Sequence, residues 1–324
     1  MSDNDPPNAY YYPHLTEEPA SAVQSKRSAP TGSLGCLLAL VLTIAFLSLL
    51  VFTTGPELTS LGAGWLVSSG RTDLAGQLLE SAVLVWPQDA RLHDTLGQVY
   101  LKVEAAGLAG EAFQEAAALD PELAVARNNL GASFLAAGQP AKALPELQAA
   151  AELDPGSTII YLNLGRALLA DGQQTEALDT FQRAASLEPE QPAAWVLAGQ
   201  AALAGGDLPL ALESFETALQ VDQANPQALL GLGIIRLMQE RPADALTFLE
   251  AARRLAPADA AAHYFSGIAL AALQQTQPAR IAFEQALALS NDPALVAQAT
   301  ARLEALPQAT AGEAGQGGAQ ESTP

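Results

Sequence analysis

Seven alanines recur at a fixed interval of 34 residues: Ala75, Ala109, Ala143, Ala177, Ala211, Ala245 and Ala279. Seven residues after each comes another: Ala82, Ala116, Ala150, Ala184, Ala218, Ala252 and Ala286. Twelve residues before the first set lies a small residue, Ala63 and then Gly97, Gly131, Gly165, Gly199, Gly233 and Gly267. Four residues after it comes a large apolar one: Leu79, Phe113, Leu147, Phe181, Phe215, Leu249 and Phe283. A fixed period in the range of roughly 20–50 residues marks a stacked array rather than a single globule. The columns indicate what is stacked. Each unit is a pair of helices, A and B. The small residues mark where two helix backbones come close, and the Phe/Leu column is the knob that fills the space beside them. A larger side chain at the small positions would overpack the contact, at about 1–3 kcal/mol. One pair cannot bury its apolar face alone, so neighbours stack and stability becomes a sum of unit and interface contributions.

These residues resemble the tetratricopeptide repeat, a 34-residue helix–turn–helix with Leu-Gly and Tyr in helix A, Ala, Phe and Ala in helix B, and a closing Pro. The second unit carries Leu96-Gly97, Tyr100, Ala109, Phe113, Ala116 and Pro121. The third has Leu130-Gly131, Phe134, Ala143, Ala150 and Pro155, and the fourth Leu164-Gly165, Ala177, Phe181, Ala184 and Pro189. The fifth opens with Trp195 and Gly199, the sixth restores Leu232-Gly233 and Pro257, and the seventh has Ser266-Gly267. The first keeps helix B (Ala75, Leu79, Ala82, Pro87), while its helix A is degenerate, as terminal repeats are. The resemblance implies an all-α tetratricopeptide-repeat solenoid. Its seven units are 56–89, 90–123, 124–157, 158–191, 192–225, 226–259 and 260–293, so that the repeats fill 56–293. Residues 294–306 form one more amphipathic helix that caps the last unit.

Turn chemistry agrees with these boundaries. Gly70, Gly138, Gly172 and Gly206 fall at the A–B reversal, where a left-handed residue ends a helix. Pro140, Pro209, Pro242 and Pro278 fall at the start of helix B, where the missing N–H is not needed. Pro145, one turn into helix B of the third unit, is expected to kink it.

Before the repeats lie two different segments. Residues 1–32 are polar and lack periodicity, and read as a disordered tail, as do 307–324. The run Ala9-Tyr10-Tyr11-Tyr12-Pro13 is a candidate docking motif in that tail, but a tail without a role is the simpler reading. Residues 34–53, LGCLLALVLTIAFLSLLVFT, hold no charge, and a helix of that length spans roughly 30 Å, the bilayer's hydrocarbon thickness. The run is too long, and its exit Thr53-Thr54-Gly55-Pro56 too poor, for a cleaved signal peptide. Residues 33–54 are therefore expected to be a transmembrane signal anchor. Lys26 and Arg27 precede it, and the next basic residue is Arg71. Positive charge stays cytoplasmic, which places the N-terminus inside and the repeats on the non-cytoplasmic side.

Charge and composition narrow the function. The chain carries a net charge of −20, and residues 54–310 hold 13 Lys/Arg against 29 Asp/Glu. That excludes nucleic acid as a natural partner, since its binding rests on neutralising phosphates. The single cysteine, Cys36, lies in the apolar run, so neither a disulfide framework nor thiol chemistry is expected. No constellation of nucleophile and base, metal ligands or phosphate loop is present, and the chain is expected to be neither an enzyme nor a cofactor or metal carrier. His93 and His263 occupy one slot in two repeats, which argues for packing; His14 is in the tail.

What remains is a surface for protein or peptide partners, with no small-molecule substrate. In the family this chain resembles, helix A lines a concave groove. Carried onto this sequence, the groove positions are Arg91, Asp94, Gln98 and Lys102 in the second unit, Asn128 and Asn129 in the third, Asn163 and Arg166 in the fourth, and Gln200 in the fifth. Leu162, Leu203 and Ile234, among other apolar members, are expected to make the groove more apolar toward the C-terminus. Asn129, Asn163 and Arg166 resemble parts of the carboxylate clamp of some tetratricopeptide domains, but the matching lysine column holds Asp94, Asn128 and Leu162. The resemblance implies a membrane-anchored scaffold or adaptor, in the assembly of an envelope, secretion or cytochrome-maturation complex. The alternative is a cytosol-facing receptor or chaperone adaptor of the organelle-import type.

Overall fold

The computed structural model describes residues 55–307. The expected membrane span at 33–54 and both tails lie outside the described residues, apart from the edges at Gly55 and Pro307. Among the described residues no helix is long and apolar enough to cross a membrane. The described chain is entirely helical between turns. Helix α1 covers 55–68, followed by α2 (Thr72–Val85), α3 (Ala90–Lys102), α4 (Ala106–Leu119), α5 (Ala124–Ala136), α6 (Pro140–Leu153), α7 (Thr158–Ala170), α8 (Gln174–Leu187) and α9 (Pro192–Ala204). These nine belong to a compact unit ending at Asp207. A second unit begins at Leu208 and holds α10 (Leu208–Val221), α11 (Pro226–Met238), α12 (Pro242–Leu255), α13 (Ala260–Ala272), α14 (Thr276–Leu289) and α15 (Pro293–Ala305).

Within each unit the repeat columns do what their size dictates. Every alanine of the two columns is at most 1% exposed, and so is every Phe or Leu of the knob column. The glycine column explains the knob. A Cβ added at Gly97 would come within 2.6 Å of the Phe113 ring, and one at Gly165 within 2.5 Å of Phe181. At Gly131 the clash is with Leu147 at 2.5 Å, at Gly233 with Leu249 at 2.6 Å, and at Gly267 with Phe283 at 2.6 Å. In these five repeats helix B's large side chain therefore lies on bare backbone of helix A, and Phe215 of α10 meets bare backbone at Gly231 of α11, where an added Cβ would come within 2.4 Å. Phe283 also meets Tyr264 at 5.9 Å between ring centroids, and Tyr264 meets Phe265 edge-on at 5.2 Å.

Seven A–B turns are closed by one device. The residue after each turn donates its N–H to a carbonyl five positions back, as Ala105 does to Tyr100 at 2.9 Å, Gln139 to Phe134 at 2.9 Å and Gln173 to Leu168 at 2.8 Å. This is the Schellman closure, and it requires a left-handed residue before the donor. Gly70, Gly138, Gly172 and Gly206 supply it with φ between 67° and 82°. At the equivalent places Glu104, Glu240 and Gln274 adopt the same backbone, at φ of 60°, 58° and 61°. The sequence pattern did not reveal these three, because only glycine advertises the conformation.

The turns between repeats share a second device. His93 Nε2 meets the Pro87 carbonyl at 3.1 Å, Arg127 Nε donates to Pro121 at 2.6 Å, Trp195 Nε1 to Pro189 at 2.9 Å, and His263 Nε2 meets Pro257 at 3.0 Å. A carbonyl only accepts, so both histidines donate from Nε2. Four side chains of different chemistry thus occupy one slot and make one bond. Helix A is also capped more often than helix B. Asp89, Asn225, Asp259 and Asp292 accept backbone N–H groups at the starts of α3, α11, α13 and α15. Helix α6 runs unbroken through Pro145. Proline has no N–H to offer the carbonyl of Ala141 one turn before it, and Ala141 is exposed in the first turn of the helix.

Helix–helix contacts give each unit an inner side. In the first unit α3 touches α5, α5 touches α7, and α7 touches α9, whereas the B helices make no comparable contact with one another among the described residues. The A helices are therefore the closer-spaced side, which makes their free face concave. In the second unit α11, α13 and α15 relate in the same way, and α15 covers α14 with Leu295 and Ala299 buried.

Two substitutions test these constraints. Gly165→Ala should destabilise the chain by about 1–3 kcal/mol despite alanine's better helix propensity, because the buried Phe181 ring has nowhere to move. Glu104→Gly should instead stabilise by roughly 0.5–1 kcal/mol, by relieving a left-handed non-glycine residue. Urea denaturation of both variants beside the parent chain checks the two signs.

Candidate functional site: a polar ladder across three inner helices

The inner face of α3, α5 and α7 carries a continuous row of polar side chains. Arg166 Nη1 donates to Asn163 Oδ1 at 3.5 Å, and Asn163 Nδ2 donates to Asn128 Oδ1 at 2.9 Å. Asn128 Nδ2 donates to Asn129 Oδ1 at 3.2 Å, and Asn129 Nδ2 to Asp94 Oδ1 at 2.7 Å. Gln98 Nε2 closes the row on the other carboxylate oxygen of Asp94, at 2.8 Å. The guanidinium can only donate and the carboxylate only accept, so the three asparagine amides between them are held in one orientation.

The spacing follows from the repeat. Neighbouring A helices bring one column into register with the next column of the following repeat. Both inter-repeat bonds, Asn129 to Asp94 and Asn163 to Asn128, therefore span 35 residues rather than 34. Leu162 occupies the place where a third acceptor would stand, and it is buried. That apolar residue ends the row at α7.

Burial grades along the row. Asp94 is 5% exposed and Asn128 7%, while Asn129, Asn163 and Arg166 are half-buried and Gln98 is exposed. Burial raises the Asp94 carboxyl above its ordinary value, and the bonds from Asn129 and Gln98 offset this only in part. Burial likewise draws the Arg166 guanidinium down, though it stays protonated at neutral pH. Neither forms an ion pair among the described residues, where such pairs join Arg127 to Glu146 at 2.8 Å and Arg241 to Asp244.

Of the residues expected to line a groove, Asp94, Gln98, Asn128, Asn129, Asn163 and Arg166 are thus brought together. Arg91 is exposed one turn before Asp94, Lys102 is exposed at the last residue of α3, and Gln200 is half-buried on α9. None of these three joins the row. Of the apolar members expected toward the C-terminus, Leu162, Leu203 and Ile234 are 8%, 1% and 3% exposed, while Leu169 and Leu237 are half-buried. Leu162 packs in a core cluster with Leu164 and Phe181.

Sequence reasoning also missed a cavity of about 910 Å³ at the Asp94 end. It is lined by Pro56, Glu57, Ser60 and Leu61 of α1, by Asp89, Arg91, Asp94 and Thr95 around α3, and by Leu119, Asp120, Leu123 and Val125 around the α4–α5 turn. Helix α1 carries none of the repeat's helix A motif, so no pattern marked its contribution.

The model of the tetratricopeptide repeat family matches residues 128–194, 196–260 and 230–294, together just over half of the chain. The chain belongs to that family, whose fold serves protein–protein interaction. No curated protein matches it in sequence. Among solved structures it is similar to a chain of the APC/C hetero-tetramer Cut9-Hcn1, at 21% identity and a TM-score of 0.64. That match covers 84% of this chain and 56% of the other, so this chain spans little more than half of that protein's length. A tetratricopeptide repeat protein from Parabacteroides merdae is similar at 14% identity and TM-score 0.63, covering 76% of this chain and 98% of that one. Pseudomonas aeruginosa PilF is similar at 21% identity and TM-score 0.57, covering 65% and 96%. These likenesses are of fold.

The raised Asp94 carboxyl gives a pH-dependent stability of known sign. The folded state holds this proton more tightly than the unfolded chain, so the penalty of the buried carboxylate is complete above the raised folded pKa. It disappears below the ordinary value of 3.8. Asp94→Asn keeps an acceptor for Asn129, and a turned Gln98 amide can accept from its new N–H group. The variant should melt at a higher temperature than the parent chain at pH 7, and the difference should vanish as the pH falls toward 3.8. Paired melting curves across that range check it.

Proposed function

We propose that this chain is a membrane-anchored scaffold that holds partner proteins by an extended segment laid along α3, α5 and α7. The polar ladder is the observation that supports this reading. A buried polar row contributes less stability than apolar packing of the same volume. Its presence on the concave side is accounted for by what it offers a ligand. An extended backbone presents both N–H and C=O groups, and asparagine and glutamine amides can meet either. Asn129, Asn163, Gln98 and Arg166 retain exposed surface for this, while Asn128 is the buried spine that holds them in line.

The anchor is residues 34–53, and Lys26 and Arg27 before it support an orientation with the repeats on the non-cytoplasmic side. In that location the scaffold would act in building an envelope, secretion or cytochrome-maturation complex. The work is binding rather than catalysis: the ladder holds amides and two charges but no nucleophile beside a base. Among solved relatives in fold, the Cut9-Hcn1 structure is of a hetero-tetramer, in keeping with a fold used for holding another protein.

Two measurements test the two halves of the proposal. A reporter active on one side of the membrane, fused after Pro324, and protease treatment of intact and opened cells should place the repeats outside the cytosol. Cytosolic repeats would move the reading to an import-type receptor. In the full-length chain, Asn163→Ala and Arg166→Ala should each reduce cross-linked partner on the membrane by tenfold or more, with melting temperatures little changed. Undiminished cross-linking in both would remove the ladder from the binding surface.

A further inference from the structure

The cavity at the Asp94 end has a chemistry of its own. Four carboxylates line it, Glu57, Asp89, Asp94 and Asp120, against the single guanidinium of Arg91. Asp89 and Asp120 each accept a backbone N–H from their own turn, Leu92 at 3.1 Å and Glu122 at 3.1 Å, and Glu57 is exposed on α1. Asp94 differs from these. It is nearly fully buried, it lines the cavity, and no cation among the described residues pairs with it. Each of its oxygens accepts one amide N–H, and a carboxylate oxygen has room for two donors. An unpaired buried carboxylate is costly, and proteins ordinarily neutralise it with a partner or a proton.

The walls define the shape of the missing partner. Leu61, Leu119, Leu123 and Val125 supply apolar surface around the acidic floor. That combination suits a long methylene stem ending in a charge. No three carboxylates or histidines among the described residues converge as they would on a metal ion, which favours a bulky organic cation over a bare one.

We infer that this cavity receives a lysine or arginine side chain of the bound segment, with its stem between the leucines and its charged tip on Asp94. The inference rests on the groove reading above and adds its register. A basic side chain is seated first, and the ladder then meets the backbone at a fixed distance from it. The acidic rim formed by Glu57, Asp89 and Asp120 attracts the cation before it is desolvated.

Three acetylated and amidated nonapeptides of an alanine–serine background, identical except for a central lysine, arginine or norleucine, should be titrated into the full-length chain by fluorescence anisotropy. At least one basic peptide should bind tenfold or more tighter than the norleucine peptide. Asp94→Asn should erase that ratio, and Glu57→Gln should reduce it. Arg166→Ala should weaken all three peptides while leaving the ratio in place. With aspartate carboxyls labelled with carbon-13, the Asp94 signal should titrate at lower pH once the basic peptide is bound, because a neighbouring cation favours the carboxylate. If the three peptides bind equally and all are lost in Asn163→Ala, the pocket is refuted and the groove stands. If none binds, both are refuted.

Discussion

The contact of a large side chain from helix B with bare glycine backbone on helix A is the constraint on which the rest depends. At Gly97, Gly131, Gly165, Gly233 and Gly267 there is no room for even one added carbon. Phe113, Leu147, Phe181, Leu249 and Phe283 are in turn fully or almost fully buried against them. Because these five hairpins are drawn together at the same point, their A and B helices pair alike. Successive A helices then stand close enough for side chains to reach across. The bonds from Asn129 to Asp94 and from Asn163 to Asn128 need that proximity. The polar face of the first unit is thus a consequence of its apolar packing.

The ladder stabilises little by itself. Burial acts on Asp94 more strongly than its two amide bonds do, and Arg166 holds its charge with only a long contact to Asn163. A row of leucines would serve the fold as well or better. The molecule keeps two uncompensated charges at the ends of three amides. That is unfavourable in the free protein. The slot shared by His93, Arg127, Trp195 and His263 presents the opposite case. There the chemistry varies while one hydrogen bond to a proline carbonyl is retained, as a structural role requires.

Much of this was legible in the sequence, for reasons that can be stated residue by residue. The alanine and glycine columns report volume, and volume is what close packing fixes, so helix pairing and repeat boundaries followed directly. Asp94, Asn128 and Asn163 could be placed on the inner face because they inherit a position from a periodic pattern. The partners they choose were not legible, since the bonds join different columns of successive repeats. The deep burial of Leu162, Leu203 and Ile234 was not legible, because in a column shared by polar and apolar residues each side chain settles by its own solvation. Glu104, Glu240 and Gln274 gave no sign of their left-handed backbone, because the turn imposes it and Glu and Gln, unlike glycine, do not announce it. The cavity was invisible because one side of its wall is α1, which lacks the motif.

An array of nearly identical repeats has no obvious forward and backward for anything resting on it. The ladder supplies one. Its amides all point the same way, from a guanidinium on α7 to a carboxylate on α3, like needles aligned between two fixed poles. A single amide cannot turn without facing donor to donor or acceptor to acceptor, so the row reverses as a whole or not at all, and the charged ends forbid reversal. A chain laid across it therefore meets one electrostatic slope in one direction and the opposite slope in the other. Three asparagines held between two charges give a repetitive surface a heading.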